Sequence, residues 1–528
     1  MTGEITLSDG WRCGFSETEK LPSAKLPAVV PLCAETLAGL PGRNGYAAFR
    51  REVNIGGRVR LRVTAGLHSR VFWDGAEVGS SILAYTREEY DFDAGKDGVH
   101  ELLIVTDNIP DDSEASVFRA FYDFYGHNGI YEPVTIEPLR NGDIDRILVE
   151  PLRELPGRVR LHLSAVAPVP ATLAVAFDGG EVRKYPWSDT LELDVPGWRL
   201  WTSDDPHLHT VAVNGRTAEF GIRHLDWSGR RLLLNGEPVK LLGVNRHEAH
   251  PEFGAAPPEA LIWSDLVAIK KQGFNFIRGS HYPQKEFMLR CADRLGLLVW
   301  EEALGWGNRE AALRDPIFAA RQLEQCRKMV RKSFNHPSVI IWGFLNECQS
   351  DCDDALPLVT QLKAAINAAD PTRPATFATC RPKTDKCAEL MDIVAVNTYP
   401  DWYGPNPTVK DPSAIGARLE EIAARFPNKP LIISEIGCAA LYGDHSGFRW
   451  SEEFQADYCA TALREVRARE DFSGIALWQF CDTRTCLTTR SSIDRPRGFN
   501  NKGLLTEYRL PKLAWRVLGQ VLMENGAR

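Results

Sequence analysis

Two glutamates each follow an apolar run of the kind that forms a buried strand. Glu347 ends the run 339–347, with Asn346 directly before it, and Glu435 ends the run 430–435. Side chains at the carboxyl end of a parallel strand project into the crevice where α/β enzymes hold their substrates. Two carboxylates that face each other there can hydrolyse a glycosidic bond, because one protonates the leaving oxygen while the other attacks the anomeric carbon.

The distance between these carboxylates would decide the stereochemical outcome. A gap of about 5–5.5 Å gives retention through a covalent intermediate and a wider gap gives inversion, and the sequence leaves this choice open. The apolar run before Glu347 favours its protonated form, which suits an acid. We expect Asn346 to donate a hydrogen bond to the sugar's 2-hydroxyl. A single glutamate at a strand end is often structural, but two in one barrel favour catalysis.

Four further side chains lie at or just after the ends of predicted strands. The hydroxyl of Tyr399 is placed to orient the nucleophile, and Trp478 offers a flat face for the apolar side of a sugar ring. His247 and His281 lie at the ends of the first and second barrel strands, where we expect them to face substrate hydroxyls. The alternative for each is that it belongs to the core, as buried aromatic and histidine side chains often do.

From about residue 225 the sequence alternates short apolar runs with long amphipathic ones, which predicts a (β/α)₈ barrel over 225–528. The predicted strands are 241–245, 274–281, 297–301, 339–346, 375–378, 393–397, 431–435 and 474–480. The predicted helices between them include 284–295, 316–334, 356–369 and 452–469.

The two regions before the barrel read as antiparallel β-structure. Residues 1–140 contain short alternating segments at 46–53, 59–64, 70–73 and 99–107, which predicts a β-sandwich. Residues 141–224 contain segments at 146–151, 159–165, 171–177, 190–195 and 209–213, which suits a small immunoglobulin-like sandwich. The aromatic, glycine-rich stretch 121–130 either faces a sugar or packs one domain on another.

Composition excludes several classes of partner. The chain has 528 residues, enough for two or three domains, and a net charge of −8, so neither nucleic acid nor an anionic membrane is an expected partner. No signal peptide or membrane-spanning run is visible, so we expect a cytoplasmic protein whose twelve scattered cysteines are reduced thiols. Cys348 and Cys352 come nearest to a metal-ligand spacing, and we expect no metal and no cofactor.

Four sequence blocks carry a resemblance to a known family. They are LLGVNRHE at 241–248, SHYP at 280–283, NHPS at 335–338 and the pair Asn346-Glu347. Together they resemble glycoside hydrolase family 2, which includes β-galactosidases, β-mannosidases and β-glucuronidases. The resemblance implies a jelly-roll domain, an immunoglobulin-like domain and a catalytic barrel in that order. It also implies Glu347 as acid/base, Glu435 as nucleophile, a retaining reaction, and a homodimer or homotetramer.

The sugar is indicated by the stretch GFNNKG at 498–503, after the eighth strand. Asn500 and Lys502 resemble the Asn-x-Lys element by which β-glucuronidases hold the carboxylate of their sugar. An ammonium and an amide together can satisfy a carboxylate with charge-assisted hydrogen bonds, whereas a neutral sugar would leave Lys502 unpaired. The alternative is that these residues form a surface turn.

Other positions match the same enzymes. Asp123 resembles the aspartate that the first domain lends to the sugar hydroxyls, and Asn397, Tyr399 and Tyr403 resemble the tract after the sixth strand. The chain departs from the enteric enzymes at Pro496, where they have an arginine, although Arg495 and Arg497 flank it. The stretch 303–316 is also short, so we expect an open site that accepts oligosaccharide ends as readily as small conjugates.

These observations predict a retaining, exo-acting β-glucuronidase with a carbohydrate substrate. One alternative is a β-galacturonidase, or a neutral-sugar enzyme of the same family such as a β-galactosidase or β-mannosidase. A second alternative, from another class, is a carbohydrate-binding protein with an inactive barrel. The presence of both Glu347 and Glu435 argues against this last hypothesis.

Overall fold

The computed structural model describes residues 3–16, 28–30, 44–111, 113–403, 413–486 and 494–524. The first ten strands are β1 (Ile5–Leu7), β2 (Trp11–Ser16), β3 (Ala28–Val30), β4 (Tyr46–Ile55), β5 (Arg58–Thr64), β6 (His68–Trp73), β7 (Ala76–Ser81), β8 (Arg87–Asp93), β9 (Gly98–Asp107) and β10 (Val134–Pro138). They form two antiparallel sheets, ordered β1-β10-β5-β8 and β3-β2-β4-β9-β6-β7.

These two sheets pack face to face because apolar residues alternate along their strands. Val59, Leu61 and Val63 are buried at every second position of β5, and they share one core with Phe49 and Ile104 of the other sheet. Alternation of this kind places one face of each sheet in the core and the other toward polar surroundings. The first region is therefore a β-sandwich.

The second region is a smaller sandwich of seven strands. They are β11 (Ile144–Pro151), β12 (Arg158–Ala165), β13 (Thr172–Phe177), β14 (Arg183–Pro186), β15 (Thr190–Asp194), β16 (His209–Val213) and β17 (Arg216–Phe220). Their sheets are ordered β11-β12-β15 and β14-β13-β16-β17. A short antiparallel sheet of β18 (Leu225–Asp226), β19 (Leu233–Leu234) and β20 (Glu237–Pro238) leads into the third region.

The third region is a closed barrel of eight parallel strands. The strands are β21 (Leu241–Asn245), β22 (Phe276–Gly279), β23 (Leu298–Trp306), β24 (Val339–Asn346), β25 (Ala375–Thr379), β26 (Val394–Asn397), β27 (Leu431–Ile436) and β28 (Phe472–Leu477). The helices in the described chain are α1 (Glu259–Gln272), α2 (Glu286–Leu295), α3 (Glu310–Leu313), α4 (Pro316–Ser333), α5 (Ala355–Ala369), α6 (Ser413–Arg425), α7 (Glu452–Ala468) and α8 (Leu513–Met523).

Three short elements complete the barrel region. They are the 3₁₀ turns Ala388–Leu390 and Pro496–Gly498, and a hairpin of β29 (Thr483–Arg484) with β30 (Phe499–Asn500). This hairpin joins the segment after the last barrel strand to the segment that carries Asn500, and so positions the latter at the carboxyl end of the barrel.

The barrel interior is filled and closed at the amino ends of its strands. Phe276, Trp300 and Ile432 point inward and form one cluster with Leu225 and Leu234 of the preceding short sheet. Residues on the outer face of the strands, such as Val299 and Ile433, pack with the helices in a second cluster. Since the amino end is plugged, the carboxyl end is where a substrate can enter.

The predicted fold class is confirmed, with two antiparallel sandwiches followed by a (β/α)₈ barrel. The boundaries at 140 and 224 stay a prediction. The eighth strand ends at Leu477, earlier than residue 480. Trp478 still donates its N–H to Ile436 of the neighbouring strand at 2.9 Å, but Gln479 donates its N–H to the carbonyl of Lys502, outside the barrel ladder, at 3.0 Å. No helix in the described ranges is both long and apolar enough to cross a lipid bilayer.

Candidate active site

A cavity of about 600 Å³ lies at the carboxyl ends of the barrel strands. This volume is in the range of small-molecule sites. Ten of the predicted site residues line the cavity: Asp123, His281, Glu347, Asn397, Tyr399, Tyr403, Glu435, Trp478, Asn500 and Lys502. The other two, His247 and Asn346, are buried beside it.

Glu347 is presented to the cavity by a sharp change in backbone direction. Leu345 and Glu347 both adopt positive φ, at 51° and 52°, although neither is glycine. Non-glycine residues in this region cost about 1–3 kcal/mol each and concentrate at functional sites. The Glu347 carboxyl group accepts a hydrogen bond from Asn397 Nδ2 at 2.9 Å.

Glu435 is held by two donors. Arg278 Nη1 donates to its Oε1 at 2.7 Å, and the Tyr399 hydroxyl donates to its Oε2 at 2.6 Å. The predicted contact between Tyr399 and the second glutamate is therefore present. Hydrogen bonds from a cation and a phenol fix the carboxylate in one orientation and favour its ionised form.

Burial raises the pKa of both glutamates. For Glu435 the rise, to about 8, is opposed by Arg278 and increased by repulsion from Glu347. For Glu347 the rise is opposed by the hydrogen bond from Asn397. Because the two groups repel each other, the pair retains one proton more readily than two separate carboxyls would.

Arg278 and Glu302 belong to the site, although neither is among the residues predicted from the sequence. Both are fully buried, the first on β22 and the second on β23. Arg278 Nε donates to Glu302 Oε2 at 2.9 Å, and the guanidinium also reaches Asn245, Asn346 and Glu435. The signal in the sequence was a charged residue inside an otherwise apolar strand, which is costly unless it is paired.

The two predicted histidines, His281 and His247, lie at different distances from the cavity. His281 lines the cavity and stacks on Trp478, with ring centres 5.3 Å apart and an angle of 14°. His247 lies behind it, against the Tyr282 hydroxyl at 3.3 Å. Burial lowers the pKa of each histidine well below its usual value, so both are neutral.

Lys502 brings an unpaired positive charge into the cavity. Its side chain is 2% exposed, and its ammonium lies 5.0 Å from the Tyr403 ring centre and 5.9 Å from those of Tyr399 and Trp402. Among the residues that the structure describes, no carboxylate pairs with it. An ammonium that is buried beside aromatic faces and has no carboxylate partner is poorly compensated and attracts an anion.

Asp123 reaches the barrel cavity from the first sandwich. Arg495 donates to both of its carboxylate oxygens, one of them from Nε at 2.9 Å. Asn500 Nδ2 donates to Asp123 Oδ2 at 3.1 Å. Of the two arginines that flank Pro496, Arg495 thus lines the cavity, whereas Arg497 pairs with Glu507 at 2.9 Å.

The aromatic stretch 121–130 both lines the cavity and packs one domain on another. Phe124 lines the cavity, with its ring centre 6.0 Å from that of His281. Tyr122 is fully buried in an aromatic cluster that joins the first sandwich to the barrel through Tyr282 and Leu304. The same segment therefore packs two domains together and supplies part of the site wall.

The described side chains offer no evident metal centre, since no three of His, Cys, Asp or Glu converge among them. The expectation that the protein uses no cofactor stays a prediction.

Comparisons with known proteins agree with this geometry. The family model described as "Glycosyl hydrolases family 2, TIM barrel domain" matches residues 226–522. A β-glucuronidase of Paenibacillus borealis is 27% identical over 515 residues, which cover 88% of this chain and 84% of that protein. A β-glucuronidase of Streptococcus agalactiae is 31% identical over 343 residues, which cover 59% of this chain and 56% of that protein.

Solved structures resemble the whole chain. A β-galacturonidase from Eisenbergiella tayi bound to galacturonate has a TM-score of 0.89 at 30% identity and covers 99% of this chain and 98% of its own. A β-glucuronidase of Faecalibacterium prausnitzii has a TM-score of 0.88 at 24% identity, with 99% and 98% covered. The second likeness concerns the fold alone.

Proposed function

This chain belongs to family 2 of the glycosyl hydrolases, and from that premise we propose that it is a retaining, exo-acting β-glucuronidase. The observation that carries the choice of sugar is the unpaired Lys502 ammonium beside Asn500 in the cavity that holds Glu347 and Glu435. A β-D-glucuronide has a carboxylate at the position that such a pair can bind. A charge-assisted hydrogen bond there is worth about 1.5–3 kcal/mol.

The reaction proceeds in two displacements. In the first, Glu435 attacks the anomeric carbon while Glu347 gives its proton to the glycosidic oxygen, which leaves as an alcohol. In the second, Glu347 takes a proton from water, the resulting oxygen nucleophile attacks the anomeric carbon, and Glu435 leaves as a carboxylate. Arg278 and Tyr399 keep Glu435 aligned in both steps. Asn346 Nδ2, which is buried without a partner, is free to donate to a sugar hydroxyl.

A specific observation favours a second candidate, a β-galacturonidase. The Eisenbergiella tayi enzyme of that name is 30% identical over nearly the whole chain. Glucuronate and galacturonate differ only in the configuration of the 4-hydroxyl, so Asn500 and Lys502 would bind the carboxylate of either. Asp123, which accepts a hydrogen bond from Asn500, and Arg495, which donates to Asp123, are polar side chains in the cavity that could distinguish the two sugars.

The test is a set of four aryl β-glycosides with one aglycone: the glucuronide, galacturonide, galactoside and mannoside. We expect the glucuronide to have the highest kcat/KM. The Lys502→Ala variant should lose about ten- to a hundred-fold on the uronides and much less on the neutral sugars. Equal losses on all four substrates would remove the uronate assignment, and a preference for the galacturonide would establish the second candidate.

Oligosaccharide substrates test whether the enzyme cleaves a terminal or an internal glycosidic bond. We propose that the enzyme removes terminal uronate residues from glycans as well as from small conjugates. Release of a single uronate from the non-reducing end, followed by mass spectrometry, would support this, whereas internal cleavage would contradict the exo-acting assignment.

A further inference from the structure

The contacts of Arg278 leave no hydrogen for His281. A guanidinium has five N–H groups. Nε donates to Glu302 Oε2 at 2.9 Å, and the two hydrogens of Nη1 reach Asn245 Oδ1 at 3.1 Å and Glu435 Oε1 at 2.7 Å. Only the two hydrogens on Nη2 remain to be assigned.

Three groups compete for the two hydrogens of Nη2. Asn346 Oδ1 lies at 2.9 Å, Glu302 Oε2 at 2.8 Å with Oε1 at 3.1 Å, and His281 Nδ1 at 3.1 Å. Asn346 Oδ1 is the closest hydrogen-bond acceptor, and Glu302 Oε1, at the same distance as His281 Nδ1, belongs to a carboxylate and so attracts a guanidinium hydrogen more strongly; these two oxygens therefore take both hydrogens. His281 Nδ1 is therefore left without a donor from Arg278.

The other neighbour of His281 Nδ1 is an acceptor. Glu302 Oε1 lies 3.2 Å from this nitrogen. A neutral imidazole carries one hydrogen, and the hydrogen bond made by one ring nitrogen decides the state of the other. A hydrogen on Nδ1 satisfies Glu302, and Nε2 is then a bare acceptor. Nε2 is buried without a hydrogen-bond partner, 3.6 Å from Glu435 Oε1, which is also an acceptor.

We infer that Glu302 is a positioning residue that keeps the hydrogen of His281 on Nδ1, so that Nε2 accepts a hydrogen bond from a hydroxyl of the bound sugar. This rests on the proposed function only where it names a sugar. The reverse tautomer would point an N–H at Glu435 and add a third donor to it. That donor would stabilise the carboxylate and weaken its attack on the anomeric carbon. Glu302 thus limits Glu435 to two hydrogen-bond donors, Arg278 and Tyr399, and it also fixes the position of Arg278.

The test is the substitution Glu302→Gln. The amide oxygen of the introduced side chain would take the place of Oε2 and accept from Arg278. Its NH₂ group would then face His281 Nδ1 as a donor, which requires the hydrogen to move to Nε2. The matched control is Glu301→Gln, because Glu301 is equally buried on the same strand but bonds Gln284 N at 2.9 Å instead of Arg278.

The direct measurement is ¹⁵N NMR of the histidine imidazoles in the full-length chain. The His281 signals are identified by their loss in His281→Gln among the twelve histidines. We expect Nδ1–H in the parent and in Glu301→Gln, and Nε2–H in Glu302→Gln. Nε2–H in the parent, or the same tautomer in the parent and Glu302→Gln, would overturn the inference. This measurement needs no turnover, so its outcome is separate from that of the substrate assignment.

A kinetic measurement follows the effect on Glu435. In Glu302→Gln a negative charge is lost and a donor is gained beside the nucleophile, and both favour its ionised form. We expect kcat on the best aryl β-glycoside to fall about ten- to a hundred-fold, and the acidic limb of kcat/KM to move to lower pH. Glu301→Gln should keep the parental limb. A fall in kcat with an unchanged limb would mean that Glu302 is only structural.

Discussion

At the scale of single residues, the two glutamates of the cavity differ in what holds them. Glu435 receives hydrogen bonds from a guanidinium and a phenol, whereas Glu347 receives one from the Asn397 amide. The first environment suits a carboxylate that attacks, and the second suits a group that gains and loses a proton. If these roles are right, the effect of removing Glu347 depends on the leaving group, whereas the effect of removing Glu435 does not.

We predict that Glu347→Gln loses activity selectively on poor leaving groups. On a phenyl glucuronide, kcat/KM should fall about 10²–10⁴-fold, because the glycosidic oxygen needs a proton as it departs. On a dinitrophenyl glucuronide the fall in kcat/KM, which reports the first displacement, should be far smaller, since that aglycone leaves as an anion without a proton. The measurement is kcat/KM for both substrates under identical conditions.

Glu435→Gln is the control for this prediction. A glutamine cannot form the covalent intermediate, so the variant should lose activity to about the same large extent on both substrates while still binding the sugar. If Glu347→Gln lost the same factor on both substrates, the acid/base assignment would be wrong.

At the scale of elements, a glycine in the fourth barrel strand supports the nucleophile indirectly. A Cβ on Gly343 would lie 2.0 Å from Trp300 Nε1. The Trp300 indole in turn lies under Arg278, whose guanidinium carbon is 4.8 Å from the ring centre. The missing side chain on β24 thus lets Trp300 pack where it can support Arg278.

We predict that Gly343→Ala is destabilising and lowers activity. Overpacking a filled core costs about 1–3 kcal/mol, and a displaced Trp300 would move Arg278 away from Glu435. The measurements are chemical denaturation and kcat. Gly229→Ala is the control, because a Cβ at that exposed site meets nothing within 4 Å; a similar loss of stability in both variants would contradict the packing explanation.

The barrel strands could be predicted because parallel strands buried on both faces read as continuous apolar runs. Val339–Asn346 was predicted with the bounds that the structure has, and Leu241–Asn245 likewise. The end of the eighth strand could not be predicted, because Trp478 is apolar like a core residue and yet lines the cavity. Hydrophobicity alone does not separate a core residue from one that lines a substrate site.

The site was less predictable than the strands. Residues at strand ends, such as Glu347 and Tyr399, could be selected because a barrel brings all its strand ends together. Arg278 lies inside a predicted strand and Glu302 directly after another, and their roles depend on the register between neighbouring strands. Arg495 meets Asp123 across 372 positions of sequence, a contact that no spacing rule anticipates.

At the scale of the whole molecule, a charged network joins the first sandwich to the barrel. Arg87 of β8 donates to Glu286 of α2 at 3.1 Å, and the backbone N–H of Glu286 donates to Glu132 at 2.7 Å. His336 lies between Glu286, at 3.4 Å, and Asp293. Burial alone would lower the pKa of His336, but the two carboxylates raise it to about 10.

We predict that this histidine makes the protein less stable at alkaline pH. Its pKa is higher in the folded chain than in the unfolded chain, where it is about 6.5. The stabilisation is therefore complete below about pH 6.5 and is lost as the pH rises toward 10. The melting temperature of the parent should fall over this interval, whereas His336→Gln should start lower at pH 6.5 and fall less.

The control for the network is His445→Gln, which removes an exposed histidine paired with Glu453. Its melting temperatures should follow those of the parent at every pH. Parallel curves for the parent and His336→Gln would show that the charge on His336 does not stabilise the folded protein.

The contact between Asp123 and Arg495 also bears on how such a chain can be made and altered. The two residues are 372 positions apart, so a nascent chain can form this contact only after the first sandwich, all eight barrel strands and the segment that follows them have been synthesised. For the same reason, a gene fusion that attached this barrel to a foreign amino-terminal module would inherit both glutamates and still lack one wall of the pocket.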